Sequence, residues 1–453
     1  MAEVDQERAP NDNENQTCLV SPTTRSGDVV ASTSGKRPPT TNGREAPASK
    51  RAKRQKQEDD EIEMPPPQFT ISNGVRFVKP YWGAYKTFAK GRWVGHKLVD
   101  IFKKEFLGAD PNYMMAAVKL GRFIVNGKCA NVDHVIGGRD VIVHYRHRHE
   151  LPVLDAPLEI IADTDDLLVV NKPPSVPVHA CGSYNYHTVI SLLHLLHGYK
   201  RADLRLLHRL DRTTSGVLLF AKNYATDLKF KTTLGDGHWR KEYICMVDGE
   251  FPAEEMVCDK KIGVLVSSMG VQCIRDDGKE ARTRFRRSWT DGKRSLVRCY
   301  PETGRTHQIR VHLQYLGFPI VNDQLYNKDV WGPNKGKNGN YGMPFDELCE
   351  GVKKAHRSEL WHIDGTLDPK YTERMRRAAD EHLEQEPNLP CDQRPEIDIY
   401  CRECHLLKKE VPYDHFVMYL HCLKYETDDW SFTAPLPDWA KEAEAGSEQR
   451  VLA

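Results

Sequence analysis

The chain has 453 residues and a formal charge of +1, so it is long enough for more than one domain, and any attraction to a polyanion must come from local clustering of basic residues. Twelve cysteines are scattered without the spacing of a disulfide framework. No apolar leader opens the chain and no apolar run reaches bilayer length, so a soluble protein in a reducing compartment, with no membrane partner, is expected.

Residues 1–67 contain no Phe, Trp or Tyr and are rich in Ser, Thr, Pro, Asn and charged side chains. Such a composition buries too little apolar surface to offset the entropy of folding, and a disordered tail is expected. Within it "KRAKRQK" (Lys50 to Lys56) precedes the acidic "EDDEIE", and reads equally as a nuclear address and as a solvated charge run.

Aromatic residues become dense after "MPPP". Phe69 to Tyr85 reads as extended segments with a turn at Asn73 and Gly74. "GHKLVDIFKKEFL" (Gly95 to Leu107) places Leu98, Ile101, Phe102 and Phe106 at helical spacing, with lysines opposite. A second helix, "NYMMAAVKLGRF", leads into a hairpin and closing strand, "IVNGKCANVDHVIGGRDVIVHYRHRHE". The set resembles the small RNA-binding module of ribosomal protein S-four, which would make Lys97, Lys119, Arg122 and Lys128 phosphate contacts. The alternative is a small helical domain whose lysines only keep it soluble. His147 and His149 alternate onto one strand face but have no third ligand nearby, so no metal is assigned to them.

"PLEIIADTDDLLVVNKPPSVPVHA" (Pro157 to Ala180) has two β-branched runs around a polar turn, a hairpin signal, and its prolines stop the second strand. "HTVISLLHLLHGY" is an amphipathic helix capped by Gly198. "LLHRLDRTTSGVLLFAK" (Leu206 to Lys222) then sets Asp211 between Arg209 and Arg212, in a turn feeding a buried strand. Flanking arginines would keep the carboxylate ionised, and an ionised carboxylate is a nucleophile for an electrophilic carbon. Spacing alone favours a surface ion pair. Tyr243 in "RKEYICMVDGEF" reads as a core aromatic on a strand. "ARTRFRRSWTDGKRSLVR" alternates Arg282, Arg284 and Arg286 onto one strand face, as a phosphate track or a solvated surface, with Trp289 packing or stacking. "PETGRTHQIRVHLQYLGFPIVND" (Pro301 to Asp323) contains an amphipathic helix with a glycine cap.

"HRLDRTTSG" resembles the signature of the RluA-type pseudouridine synthases: His-Arg-Leu-Asp, two residues, Thr-Ser-Gly. The Tyr243 segment and "GRTHQIR" are similar to the family's second and third motifs and follow in the family order, so the resemblance covers about Pro157 to Tyr326. It implies isomerisation of uridine to pseudouridine within RNA, without metal, nucleotide or redox cofactor. Asp211 would attack either the anomeric carbon or the uracil ring, Tyr243 would support the base, and Arg310 would pair with the aspartate. The target would be flipped from its stack, with Arg209 in the vacated space or on a phosphate, and Arg212, Arg305 and His307 as further RNA contacts. "GFPIVND", with Phe318 and Asn322, departs from the bacterial Gly-His-Pro-Ile and Gly-Asp and resembles the eukaryotic branch acting on transfer RNA.

The expected fold is therefore α+β: a central mixed, mainly antiparallel sheet flanked by helices, preceded by the S-four-like domain at 68–150. The catalytic core is expected over 151–330, a C-terminal extension completing it over 331–440, and a frayed tail over 441–453. The expected partner is RNA, with tRNA in first place, for a monomer in the nucleus, cytoplasm or mitochondrion. Cys401 and Cys404 have zinc-knuckle spacing with His405, Cys391 and Cys422 as candidate partners, but a single Cys-x-x-Cys is weak evidence and no metal is assigned. A zinc-dependent nucleobase deaminase needs a Pro-Cys-x-x-Cys and an upstream His-x-Glu or Cys-x-Glu, which this chain does not offer convincingly. A catalytically silent RNA-binding protein is the other alternative, against which the joint presence of Asp211, Tyr243 and Arg310 stands.

Overall fold

In the computed structural model, which describes residues 65–105, 110, 112–233, 238–358, 363–410 and 412–451, Asn73 and Gly74 take positive φ and join strands Phe69–Ser72 and Val75–Val78. The "KRAKRQK" cluster, most of the expected tail, and Phe106 and Leu107 lie outside the described residues. Pro65, near the end of that tail, accepts a hydrogen bond from the Tyr186 hydroxyl.

The first helical unit forms as its periodicity predicts. Helices Leu98–Glu105 and Tyr113–Lys119 bury Leu98, Phe102, Ala116 and Ala117 against a four-stranded sheet. That sheet runs Tyr81–Phe88, Val141–Arg148, Phe123–Val125, Lys128–Cys129, and Asn126 and Gly127, both at positive φ, make its two-residue hairpin turn. The same core also takes Tyr371, Met375 and Ala378 from helix Pro369–Asp380. The stretch 369–405 thus returns to the small domain, a correction to the expectation that 331–440 completes the catalytic unit.

This return also corrects two predicted phosphate contacts. Lys119 donates to the carbonyls of Ala378, Ala379 and Glu381 at 2.8–3.1 Å, capping that helix. Arg122 is 1 % exposed and forks onto Asp398 at 2.8 and 2.9 Å while also reaching Glu386. Both cations are occupied by the chain itself. Lys97 stays exposed and pairs with Asp133 at 2.8 Å.

Among the described residues the central sheet has ten strands. Its main path runs Met256–Cys258, Thr283–Thr290, Arg294–Pro301, Arg240–Asp248, Leu420–Glu426, Ser215–Ala221, Leu167–Lys172, Glu159–Asp163. Every pairing is antiparallel except one: Ser215 and Gly216 run parallel to His421 and Cys422. The late strand Leu420–Glu426 is therefore inserted at the centre, between the strand after Asp211 and the strand carrying Tyr243. Beyond it, residues expected to fray form helix Asp438–Val451, whose Ala440 and Ala443 pack on Leu296 and Leu423.

Gly216 marks where the chain must pass closely. Its φ is +106°, and a Cβ there would sit 2.1 Å from the Cys422 carbonyl oxygen. No L side chain fits either constraint. Gly216→Ala is expected to cost more than ~2 kcal/mol and to lower Tm by several degrees. A thermal melt within about 2 °C of the unsubstituted chain would contradict this packing.

Candidate active site

Three motifs far apart in sequence line one cleft of about 300 Å³, at the lower end of small-molecule sites. The strand Ser215–Ala221 ends the turn that presents Asp211, and Thr214 N–H closes that turn on the Asp211 carbonyl at 3.2 Å. His208 supports the same loop from behind: its Nε2 accepts from Leu219 N–H at 3.2 Å, and burial pushes its pKa down to about 3, which keeps that nitrogen free to accept. Lys172 is fully buried beneath the loop and donates to the carbonyls of Pro173, Val176 and Arg212 at 2.8, 2.7 and 3.0 Å. Burial pulls its pKa well below the ordinary value, while three carbonyls accept its hydrogens.

Asp211 is held across the cleft. Arg310 Nη1 donates to Asp211 Oδ2 at 2.8 Å, and the same guanidinium makes a two-pronged bridge to Asp323, both distances 2.8 Å. Side-chain exposure falls from 20 % at Asp211 through 7 % at Arg310 to 0 % at Asp323, so the row runs from the cleft surface into the core. Asp323 also accepts the backbone N–H groups of Leu325 and Tyr326 at 2.9 and 3.0 Å. Burial pushes the Asp211 carboxyl up, but His307, charged only in the acid range where that carboxyl titrates, and the permanent charges of Arg310 and Arg209 outweigh it and hold it below the ordinary carboxylate value. The cleft therefore presents an anion at neutral pH.

The helix Gln308–Leu316 positions Arg310, and the loop before it is locked by Gln308, whose side chain accepts from Thr303 Oγ1 and Arg305 N–H at 2.7 and 2.9 Å. His307 takes φ +57° at the helix start. A non-glycine residue in that conformation is uncommon and clusters at functional sites. Its Nε2 is 3.7 Å from Asp211 Oδ2, and its Nδ1 is 2.8 Å from the Tyr326 hydroxyl, which accepts from Gln272 N–H at 3.0 Å. Burial lowers its pKa to about 4. It is neutral at pH 7, lines the cleft and stands against the aspartate.

Tyr243, on strand Arg240–Asp248, is half-buried and lines the cleft beside Leu420 and Tyr425. Burial raises its phenol well above the ordinary value, so it stays neutral. Arg209 and Arg305 are exposed on the cleft lip. Arg305 Nε donates to the Glu280 carbonyl at 2.8 Å, leaving its fork outward. Arg212 is not among the lining residues; it is half-buried, and its Nη1 is buried without a hydrogen-bond partner, so its expected RNA contact is not supported. Arg282, Arg284 and Arg286 do share one exposed face, but Glu302 lies 3.1 and 3.4 Å from the first two, and Trp289 packs rather than stacks.

Several contributors escaped the motif reading. Lys172 and Asp323 are single charged residues at the ends of apolar runs, "LLVVNK" and "FPIVND", and that placement was their only local signal. Lys241 lines the cleft with its pKa lowered by burial and looked like an ordinary strand lysine. Away from the cleft, His147 and His149 lie beside Cys401 and Cys404. His405, Cys391 and Cys422, the partners proposed from sequence, are not in that group.

A buried arginine holds an ionised aspartate in a cleft on a mainly antiparallel sheet, and the model of the RNA pseudouridylate synthase family matches residues 166–315. The human pseudouridylate synthase RPUSD2 is 37% identical over 410 residues, 83% of this chain and 75% of the human protein. The mitochondrial tRNA pseudouridine(32) synthase of Saccharomyces cerevisiae is 34% identical, covering 82% and 78% of the two chains. An uncharacterized Caenorhabditis elegans protein is 52% identical over 87% of this chain and 93% of its own. The chain belongs to the RNA pseudouridylate synthase family and is an isomerase acting on RNA.

Proposed function

We propose that this enzyme isomerises uridine in tRNA, with Asp211 as nucleophile, and the observation carrying the reading is the Arg310 bond to Asp211 at 2.8 Å in a cleft lined by Tyr243. The ionised aspartate bonds to the anomeric carbon or to the uracil ring, the bond between ribose C1′ and uracil N1 breaks, the base turns in the pocket, and C5 bonds to C1′ as the aspartate is released. The proton lost from C5 balances the one gained at N1. Tyr243 offers a neutral aromatic surface to the base. Arg310 and, behind it, Asp323 are positioning residues. Two yeast relatives named for tRNA positions 32 and 31 support tRNA as the substrate.

Arg209, Arg305 and Lys241 rim the cleft and are the proposed phosphate contacts. The helical unit at 68–150 is the proposed S-four-like RNA-binding domain, with exposed Lys97 and Lys128 outward. The mitochondrial name of the yeast relative and the "KRAKRQK" cluster support organellar and nuclear pools, which imaging of a C-terminally tagged chain tests. Purified enzyme is expected to convert a uridine of a tRNA transcript, with positions 31 and 32 scored first; cells lacking the protein should lose the same sites. An unconverted transcript, together with unchanged pseudouridine in the tRNA of cells lacking the protein, would overturn the substrate assignment. Arg305→Ala is expected to weaken RNA binding and reduce the salt dependence of log K by roughly 0.7–1.

A further inference from the structure

His147 lies on strand Val141–Arg148 and His149 just beyond it, so strand alternation turns both imidazoles to one side. Cys401 and Cys404 stand at the ends of a tight turn in which Cys404 N–H donates to the Cys401 carbonyl at 3.2 Å. The pairs are 255 residues apart along the chain, from His149 to Cys404. They meet because the returning segment is anchored on the small domain: Arg122 holds Asp398, and Trp82 Nε1 donates to the Pro395 carbonyl at 2.8 Å.

Cys404 Sγ is 3.3 Å from both His147 Nδ1 and His149 Nε2. One donor atom from each of the four residues lies within 4.8 Å of every other. A tetrahedral zinc ion with Zn–S of about 2.3 Å and Zn–N of about 2.0–2.1 Å spaces its ligand atoms roughly 3.4–3.8 Å apart. The two Cys404 distances of 3.3 Å lie close to that spacing, and the remaining donor atoms, none more than 4.8 Å from another, need only a small inward shift to reach it. Two thiolates and two neutral imidazoles neutralise a dication and prefer zinc over the hard cations.

We propose that His147, His149, Cys401 and Cys404 form a structural zinc site. His147, His149 and Cys401 are buried, and four protein ligands close the shell, so no position is left for a catalytic water. The ion would staple the turn at Cys401 to the small sheet. It would thereby fix the segment that leads into Leu420–Glu426, the strand paired beside the Asp211 loop. The sequence reading weighed the His147 and His149 pair and the Cys401 and Cys404 pair separately; the fold brings the two pairs together.

Full-length protein purified without chelator from zinc-supplemented cells is expected to carry about one zinc per chain by mass spectrometry of the metal. Chelator-treated protein titrated with Co²⁺ is expected to show the visible bands of tetrahedral cobalt with a thiolate charge-transfer band. Cys401→Ser and Cys404→Ser should lose both signals, and Cys391→Ser, whose thiol is outside the cluster, should keep them. The wild-type cobalt spectrum decides the matter even where a ligand variant fails to fold. A metal-free wild type with no tetrahedral cobalt spectrum, a Cys401–Cys404 disulfide in that protein, or full zinc content in the double serine variant would each overturn the site.

Discussion

Asp211→Asn is expected to lower single-turnover pseudouridine formation by about 10⁴-fold or more, because the amide removes the nucleophile and nothing else in the cleft replaces it. Stability should fall only by the part that the lowered Asp211 carboxyl contributes. The amide is nearly isosteric, its oxygen can still accept from Arg310 Nη1, and the arginine keeps its two-pronged bridge to Asp323. The charge that compensates the buried guanidinium therefore survives the substitution. RNA affinity should also persist, since Arg209, Arg305 and Lys241 are untouched and phosphate contacts dominate binding. A melt, a binding isotherm and a single-turnover assay on tRNA separate the three quantities. Turnover by purified Asp211→Asn at more than a trace of the wild-type rate would sink the nucleophile assignment, and lost binding with normal folding would shift Asp211 to an RNA-holding role.

How much of this was legible in the sequence depended on whether the signal was local. Periodicity found the helices at Leu98 and Val189, and Asn-Gly pairs found both tight turns, because those choices are made by neighbouring residues. The motif strings brought Asp211, Tyr243 and Arg310 to one cleft, and their family order carried information that spacing lacks. Asn322 shows a residue-level reason for one departure: it stands at φ +59°, where glycine is the easiest residue and asparagine is tolerated. The partners of Lys119, Arg122 and His147 were hidden for a common physical cause. Each is completed by residues 250 or more positions away, in a segment that doubles back onto the small domain, and no local pattern encodes that return. Charge counting treats a lysine or arginine as free until its partner is seen; Arg122, with two carboxylates around it, is spent on the fold.

Arg310→Lys is expected to separate the electrostatic from the structural work of the row Asp211–Arg310–Asp323. A single ammonium cannot reproduce three donor contacts to two carboxylates, so one of the two loses its partner. Asp323 is the more deeply buried and should keep the cation, leaving Asp211 to its desolvation. Both carboxyls are held below their ordinary value in the native fold, so the stability they contribute is present above about pH 4 and is lost as pH falls through their lowered values. The wild-type rate should accordingly hold down to pH values below an ordinary carboxylate's titration. In Arg310→Lys the carboxyl of Asp211 rises, and the acid limb of kcat/KM moves to higher pH, with a loss of roughly 10²-fold or more at neutral pH. Arg310→Met removes the charge altogether and strands Asp323, at a cost of about 3–5 kcal/mol that a denaturant melt would register. A pH–rate profile for Arg310→Lys that superimposes on the wild type would mean that Arg310 only holds the helix in place and that the ionisation of Asp211 is set elsewhere.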